Sequence, residues 1–208
     1  MKRIYICLIF VLCLSGSTQA QTEVTLFRQG LALQKAGRLE EAIQSYEKAI
    51  ALDNDYADAH YQLGRVYYLQ ATRKNNVKEI TGQHEKLFPK QQYVPKWKYG
   101  KKELDLAIKE FEEVVRIEPE AADALFMLGL LNHNKGLYDT AIEWHKKAIN
   151  VSRYSADALD ARHDIALIYY HIKNNDAAAI ELLRTNLEIY QFHSLSKELL
   201  ELIENKSK

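Results

Sequence analysis

Apolar residues recur three and four positions apart along most of the chain, the period of one face of an α-helix. Leu63, Val66 and Tyr67 form one such row, and Leu125, Leu128 and Leu131 form another. No segment alternates polar and apolar residues as a half-buried strand does. The pattern predicts an all-α chain, and it also repeats. An Ala-Ile pair opens four similar stretches, at Ala42-Ile43, Ala107-Ile108, Ala141-Ile142 and Ala179-Ile180. The spacing from Ala107 to Ala141 is 34, and from Ala141 to Ala179 it is 38. A second helical stretch precedes each of these, and Gly30, Gly64 and Gly129 lie within three of them. Gly37 and Gly136 end two of these upstream stretches, where a helix takes a left-handed stop. Leu195, Leu199, Leu202 and Ile203 give the last stretch one apolar face with charges opposite, as a capping helix over 193–206 requires.

Down the second helix of the first repeat stand Ala42, Tyr46 and Ala49, which is small, bulky aromatic, small. Ala107, Phe111 and Val114 follow that order closely, as do Ala141, His145 and Ala148. Gly30, Gly64 and Gly129 supply a small residue midway along the first helix, Tyr67 a tyrosine three residues on, and Pro119 a proline between repeats. These residues resemble the tetratricopeptide repeat family over nearly all of residues 23–190. Small residues let two helices approach closely, and the bulky one fills the space beside them. The resemblance implies a right-handed superhelical solenoid of about four antiparallel helix pairs with a C-terminal cap. The repeats are expected at 23–56, 57–121 and 122–155, with a degenerate fourth at 156–190 where Leu183 and Asn186 replace the aromatic and the alanine.

The second repeat is interrupted. The spacing from Gly30 to Ala42 is 12, whereas from Gly64 to Ala107 it is 43, so the turn inside this repeat is longer by 31. An insertion of that size is usually functional or disordered. Between Arg73 and Lys102 there are nine basic and two acidic residues, a net of +7, with Phe88, Tyr93, Trp97 and Tyr99 interleaved. Such a loop over about 72–100 can dock an acidic partner or an anionic envelope surface. Alternatively it is a solvated excursion whose aromatic rings pack on the solenoid. The whole chain is neutral, with 28 basic and 28 acidic residues, so no global charge draws it to nucleic acid or membrane.

Residues 1–20 belong to neither pattern. Lys2 and Arg3 precede an apolar run from Ile4 to Leu14, and Thr18 and Ala20 fit a signal peptidase exit. That run is short for a bilayer, which takes about 20 residues. Residues 1–20 read as a signal peptide, an uncleaved anchoring helix being the alternative. Both cysteines, Cys7 and Cys13, lie inside it, so a cleaved chain has no thiol for disulfide, catalysis or metal. Catalytic motifs are missing too: there is no glycine-rich phosphate loop, no Gly-x-Ser-x-Gly elbow, and no pair of histidines four apart around a glutamate. No cofactor, metal or nucleic acid is expected.

The resemblance also implies a concave face lined by the first helix of each pair. The family's groove positions fall here on Phe27, Leu31, Tyr61, Arg65, Tyr68, Phe126 and Leu130, then on Asp164 and Ile168. Members that clamp a C-terminal carboxylate place lysines and asparagines at several of these positions. Phe27, Leu31, Gln62, Phe126 and Leu130 stand there instead, which suits an extended or helical peptide with hydrophobic anchors. The insertion or a second copy of the protein could cover the same side chains. The expectation is an exported, non-catalytic scaffold that holds a protein or peptide in this groove. The alternative is an adaptor for an anionic envelope polymer or lipid surface through the insertion, with Lys90, Lys96, Trp97 and Lys98 as a second contact.

Overall fold

The computed structural model describes residues 22–73 and 100–206. The leader segment, and Lys90, Lys96, Trp97 and Lys98 of the insertion, lie outside the described residues. Among the described residues there are nine helices and no strand. They are α1 (22–35), α2 (Leu39–Leu52), α3 (Ala57–Arg73), α4 (Lys101–Ile117), α5 (Ala122–Asn134), α6 (Tyr138–Val151), α7 (Ala156–His171), α8 (Asp176–Ile189) and α9 (Ser194–Lys206). From α2 onward each helix packs on its successor, while α7 also touches α5 and α9, as a solenoid of stacked pairs requires.

The turns follow from their residues. Gly37 and Gly136 take φ of 76° and 79°, the left-handed region where a side chain would be strained. Each ends its helix with paired backbone bonds, Gly37 N–H to Gln34 C=O and Arg38 N–H to Leu33 C=O in the first case. Asn174 takes the same role after α7, at φ 53°. Ser155 and Asn175 cap the starts of α7 and α8, their side-chain oxygens accepting from Ala158 and Ala178 N–H at 3.1 Å.

Each of the first three pairs closes on one contact. An ideal Cβ placed on Gly30 would sit 2.5 Å from the Tyr46 ring, on Gly129 2.4 Å from the His145 ring, and on Gly64 3.0 Å from the Phe111 ring. The rings lie against bare backbone, fully buried at Tyr46, Phe111 and His145. Around them runs a core of Leu39, Ala42, Leu63, Val66, Leu104, Ala107, Val114, Leu128 and Leu131. In the fourth pair Leu183 replaces the ring and packs with Ala166, Tyr170 and Ala179, and Leu199 and Ile203 of α9 close this end.

The interrupted repeat is packed as a normal pair. Gly100 N–H reaches the Ala71 carbonyl at 3.4 Å, so the chain leaves α3 and re-enters α4 at neighbouring points. Any length between them can be accommodated without moving the pair, because loop closure costs little more for a longer loop.

Overpacking costs about 1–3 kcal/mol, whereas alanine favours a helix over glycine by about 1 kcal/mol. Gly30→Ala and Gly129→Ala should therefore lower the urea midpoint clearly, and Gly64→Ala should change it little. Equal losses at Gly64 and Gly129 would contradict the ring-contact account.

Candidate interaction face

The first helices α1, α3, α5 and α7 carry the side chains that the groove expectation named. Phe27 on α1 is half-buried, its ring 5.9 Å from Tyr46 and 5.1 Å from Tyr56. Leu31, one turn on, is exposed. On α3, Tyr61 meets the edge of Phe111 at 5.4 Å, and Tyr68 is half-buried against the core. Arg65 is exposed and donates to Gln62 at 3.3 Å. On α5, Phe126 lies 5.5 Å from the His145 ring, and Leu130 is half-buried. These rings are thus anchored in the knob contacts at one edge and open at the other.

Asp164 and Ile168 are different: both are buried, so neither lines an open face. The fourth pair explains this. Asp164 and Ile168 stand 38 residues after Phe126 and Leu130, the spacing between the second helices Ala141 and Ala179, whereas α7 opens only 34 residues after α5, at Ala156 and Ala122, so the expected positions overshoot the open face.

Carboxylates occupy the α5–α7 end of the face. Burial raises the Tyr61 phenol to about 12, with Asp123, to which its hydroxyl is bonded, and Asp157 adding to the rise and Arg65 opposing it. The Asp157 carboxyl is raised by burial first and then by Asp123 and Asp160. Asp123 thus disfavours charge on Tyr61, and Asp123 and Asp160 disfavour it on Asp157, across α3, α5 and α7. The sequence carries a signal for two of these acids. Ala-Asp-Ala opens α3, α5 and α7 at Asp58, Asp123 and Asp157. A carboxylate in a first turn favours the helix dipole, so one acid per helix has a local reason. Asp160, a turn further on, has none.

Other polar clusters are internal. His60 donates from Nδ1 to Glu110 at 2.7 Å and from Nε2 to the Asn54 carbonyl at 3.1 Å. Two acceptors require both ring protons, so this ring is an imidazolium. Burial opposes that charge, but the Glu110 and Asn54 bonds outweigh it and its pKa is raised. Ser196, His193 and Asp160 are connected in the order of a hydrolytic triad, with Ser196 Oγ 2.7 Å from His193 Nδ1 and His193 Nε2 3.2 Å from Asp160. Ser196 is completely buried and also accepts from Asn186, so its hydroxyl meets no substrate. This group instead ties the start of α9 to α7. Among the described residues no group of three or more ligating side chains could hold a metal ion. No described helix is long and apolar enough to cross a membrane.

Two family profiles match, one described as TPR repeat over residues 30–70 and one as tetratricopeptide repeat over 99–158. This chain is a tetratricopeptide repeat protein. The tetratricopeptide fold is found again in solved structures. A crystal structure of MamA aligns at TM-score 0.61 and 23% identity, covering 82% of this chain and 79% of that one. The Pseudomonas aeruginosa pilF protein aligns at 0.64 and 16%, covering 91% and 71%. The first tetratricopeptide domain of Spaghetti (RPAP3), bound to the HSP90 peptide SRMEEVD, aligns at 0.53 and 14%, covering 72% and 94%. Comparison with curated proteins gives no match. Tetratricopeptide repeats generally mediate protein–protein interactions.

Replacing Glu110 by Gln removes the charge that holds the His60 proton. NMR titration of the His60 imidazole should show a lower pKa in Glu110→Gln than in the native protein. An unchanged value would mean that the Asn54 carbonyl alone sets the protonation.

Proposed function

We propose that this protein is an exported, non-catalytic scaffold that binds a peptide segment of a partner protein along the face of α1, α3, α5 and α7. The observation that carries the reading is the row of half-buried or exposed side chains Phe27, Leu31, Tyr61, Tyr68, Phe126 and Leu130 along these helices, with Asp123, Asp157 and Asp160 on α5 and α7 beside it. Rigid aromatic rings anchored at one edge bind with little loss of side-chain freedom. The leader pattern in residues 1–20 supports export.

The chemistry of the face also selects the partner. The peptide held by the Spaghetti (RPAP3) domain, SRMEEVD, is acidic. An acidic tail here would meet Asp123, Asp157 and Asp160, where burial first and then the neighbouring Asp123 and Asp160 already raise Asp157. A segment with apolar anchors beside a lysine or arginine relieves that repulsion. Arg65, at the other end, offers one donor for a carboxylate or backbone carbonyl.

Selection from a random peptide library should enrich apolar-basic sequences. Tyr61→Ala/Phe126→Ala should weaken the selected peptides at least about tenfold, as loss of hot-spot rings does, and Asp157→Asn should weaken mainly the basic ones. Enrichment of acidic sequences, or binding indifferent to the double substitution, would overturn the reading.

The insertion supports a second contact through its charge. If residues 73–102 dock an anionic envelope polymer or lipid, retention on anionic vesicles should appear at low salt and vanish on their deletion. Retention that survives the deletion would refute this contact.

A further inference from the structure

The bulky position that closes each pair is Tyr46, then Phe111, then His145. The third is the only imidazole of these three. It is also tied to the next pair. His145 on α6 donates from Nε2 to Asp164 Oδ2 at 2.7 Å, and His133 on α5 donates from Nδ1 to Asp164 Oδ1 at 2.6 Å. Asp164 belongs to α7, so one carboxylate joins three helices and two repeats. All three residues are buried, His145 completely. The buried His145 Nδ1 meets no hydrogen-bond partner, so this ring's contact to the cluster is through Nε2 alone. Each imidazole needs only one N–H for these bonds; a second proton on His133, beside the Asp164 carboxylate, balances the charge of the cluster.

We propose that Asp164, His133 and His145 form a protonation-dependent clamp that fixes the fourth helix pair to the third and releases it when His133 loses its proton. With His133 charged, the cluster holds one positive and one negative group and satisfied polar contacts between them. Without that proton a net negative charge is left in a site closed to water.

The sign follows from the shifts. Burial opposes the charge on His133, but Asp164 outweighs it, and its pKa lies above the ordinary 6.5. The contribution of His133 is therefore complete below 6.5 and is lost as pH rises through the higher folded value. Burial likewise opposes charge on Asp164, and the two histidines more than reverse it, holding its pKa below the ordinary carboxylate range. That contribution is lost only in strong acid, so the clamp opens on the alkaline side.

The neighbouring Tyr138, His163 and Arg162 do not replace the proton. Tyr138 of α6 lies edge-on to the His133 ring at 5.6 Å, and burial pushes its phenol up, so it stays neutral. His163, pushed down to about 4 by burial, stays neutral, and it faces His193 of the turn before α9. Arg162 turns to the carbonyls of Ala158 and Arg153. The buried residues of α8 are Ala179, Leu183 and Asn186, and those of α9 are Ser196, Leu199 and Ile203, none of which titrates. Because Asp157 and Asp160 ride on α7, release would shift the acidic end of the face relative to Phe126. That consequence rests on the peptide-binding reading, whereas the clamp itself does not.

Hydrogen exchange of the full chain, corrected for the intrinsic pH dependence of exchange, tests the clamp. Between about pH 6 and about pH 9, opening of α7–α9 should rise about tenfold relative to α3–α4. Asp164→Asn and His133→Asn, the latter keeping a donor near the place of Nδ1, should remove that rise. Should Asp164→Asn fail to fold, His133→Asn and an NMR titration of His133, expected above 6.5, decide the matter. A flat native profile, a rise that persists in His133→Asn, or a His133 ring titrating below 6.5 would overturn the proposal.

Discussion

Each of the first three helix pairs is closed by a ring pressed against backbone that carries no side chain. Tyr46 on Gly30, Phe111 on Gly64 and His145 on Gly129 are the same contact made three times. It sets the distance between the two helices of a pair, and the rest of the structure depends on that distance. The small residues Ala42, Ala107 and Ala141 are buried completely because the helices come that close. Phe27, Tyr61 and Phe126 touch those closing rings from the other side. The face that carries the proposed binding is therefore the outer surface of the same contacts that hold the pairs together. A tetratricopeptide solenoid has no single centre, and its stability is a sum of such units and the joints between them.

The joints are where this chain is individual. The first to second pair is bridged in part by Tyr67 to Glu47 and Arg116 to Asp55, at 3.3 and 2.7 Å. The latter is exposed, and exposed pairs contribute little. The third to fourth pair is instead bridged by a buried carboxylate shared between two imidazoles. Breaking a buried pair by removing one charge is costly, since the other is left unsolvated. The weakest repeat by sequence is thus held by the most charge-dependent joint. The long interruption between α3 and α4 costs the array little, because the Gly100 N–H meets the Ala71 carbonyl at its base.

Much of this is legible in the residues. The helix period, the recurrence of the Ala-Ile pairs and the glycine stops at Gly37 and Gly136 each follow from a local rule, and each local rule has one dominant residue type. The stop at Asn174 is not legible, because asparagine takes the left-handed conformation only where surroundings favour it. Asp164 and Ile168 depart from their expected place for another reason. Counting forward by the 38-residue spacing of the second helices puts them on the open face, but α7 opens 34 residues after α5, so that count overshoots on this helix. Spacing transfers between repeats only when first helices are counted from first helices. The acid cluster escapes a reading of the sequence because each acid alone looks like a solvated helix charge. Only the packing of α5 and α7 brings Asp123, Asp157 and Asp160 together, although the recurring Ala-Asp-Ala points to two of them.

If the proposed function holds, partners touch the first-helix face and not the outer second helices. Site-specific photo-crosslinking in cells separates the two, with the probe at Leu31 or Leu130 on that face and at Glu143 or Lys147 on α6. Adducts with the same partner from Leu31 and Leu130, absent from Glu143 and Lys147, are the result expected. Adducts from the α6 positions alone, or equally from both sets, would contradict it.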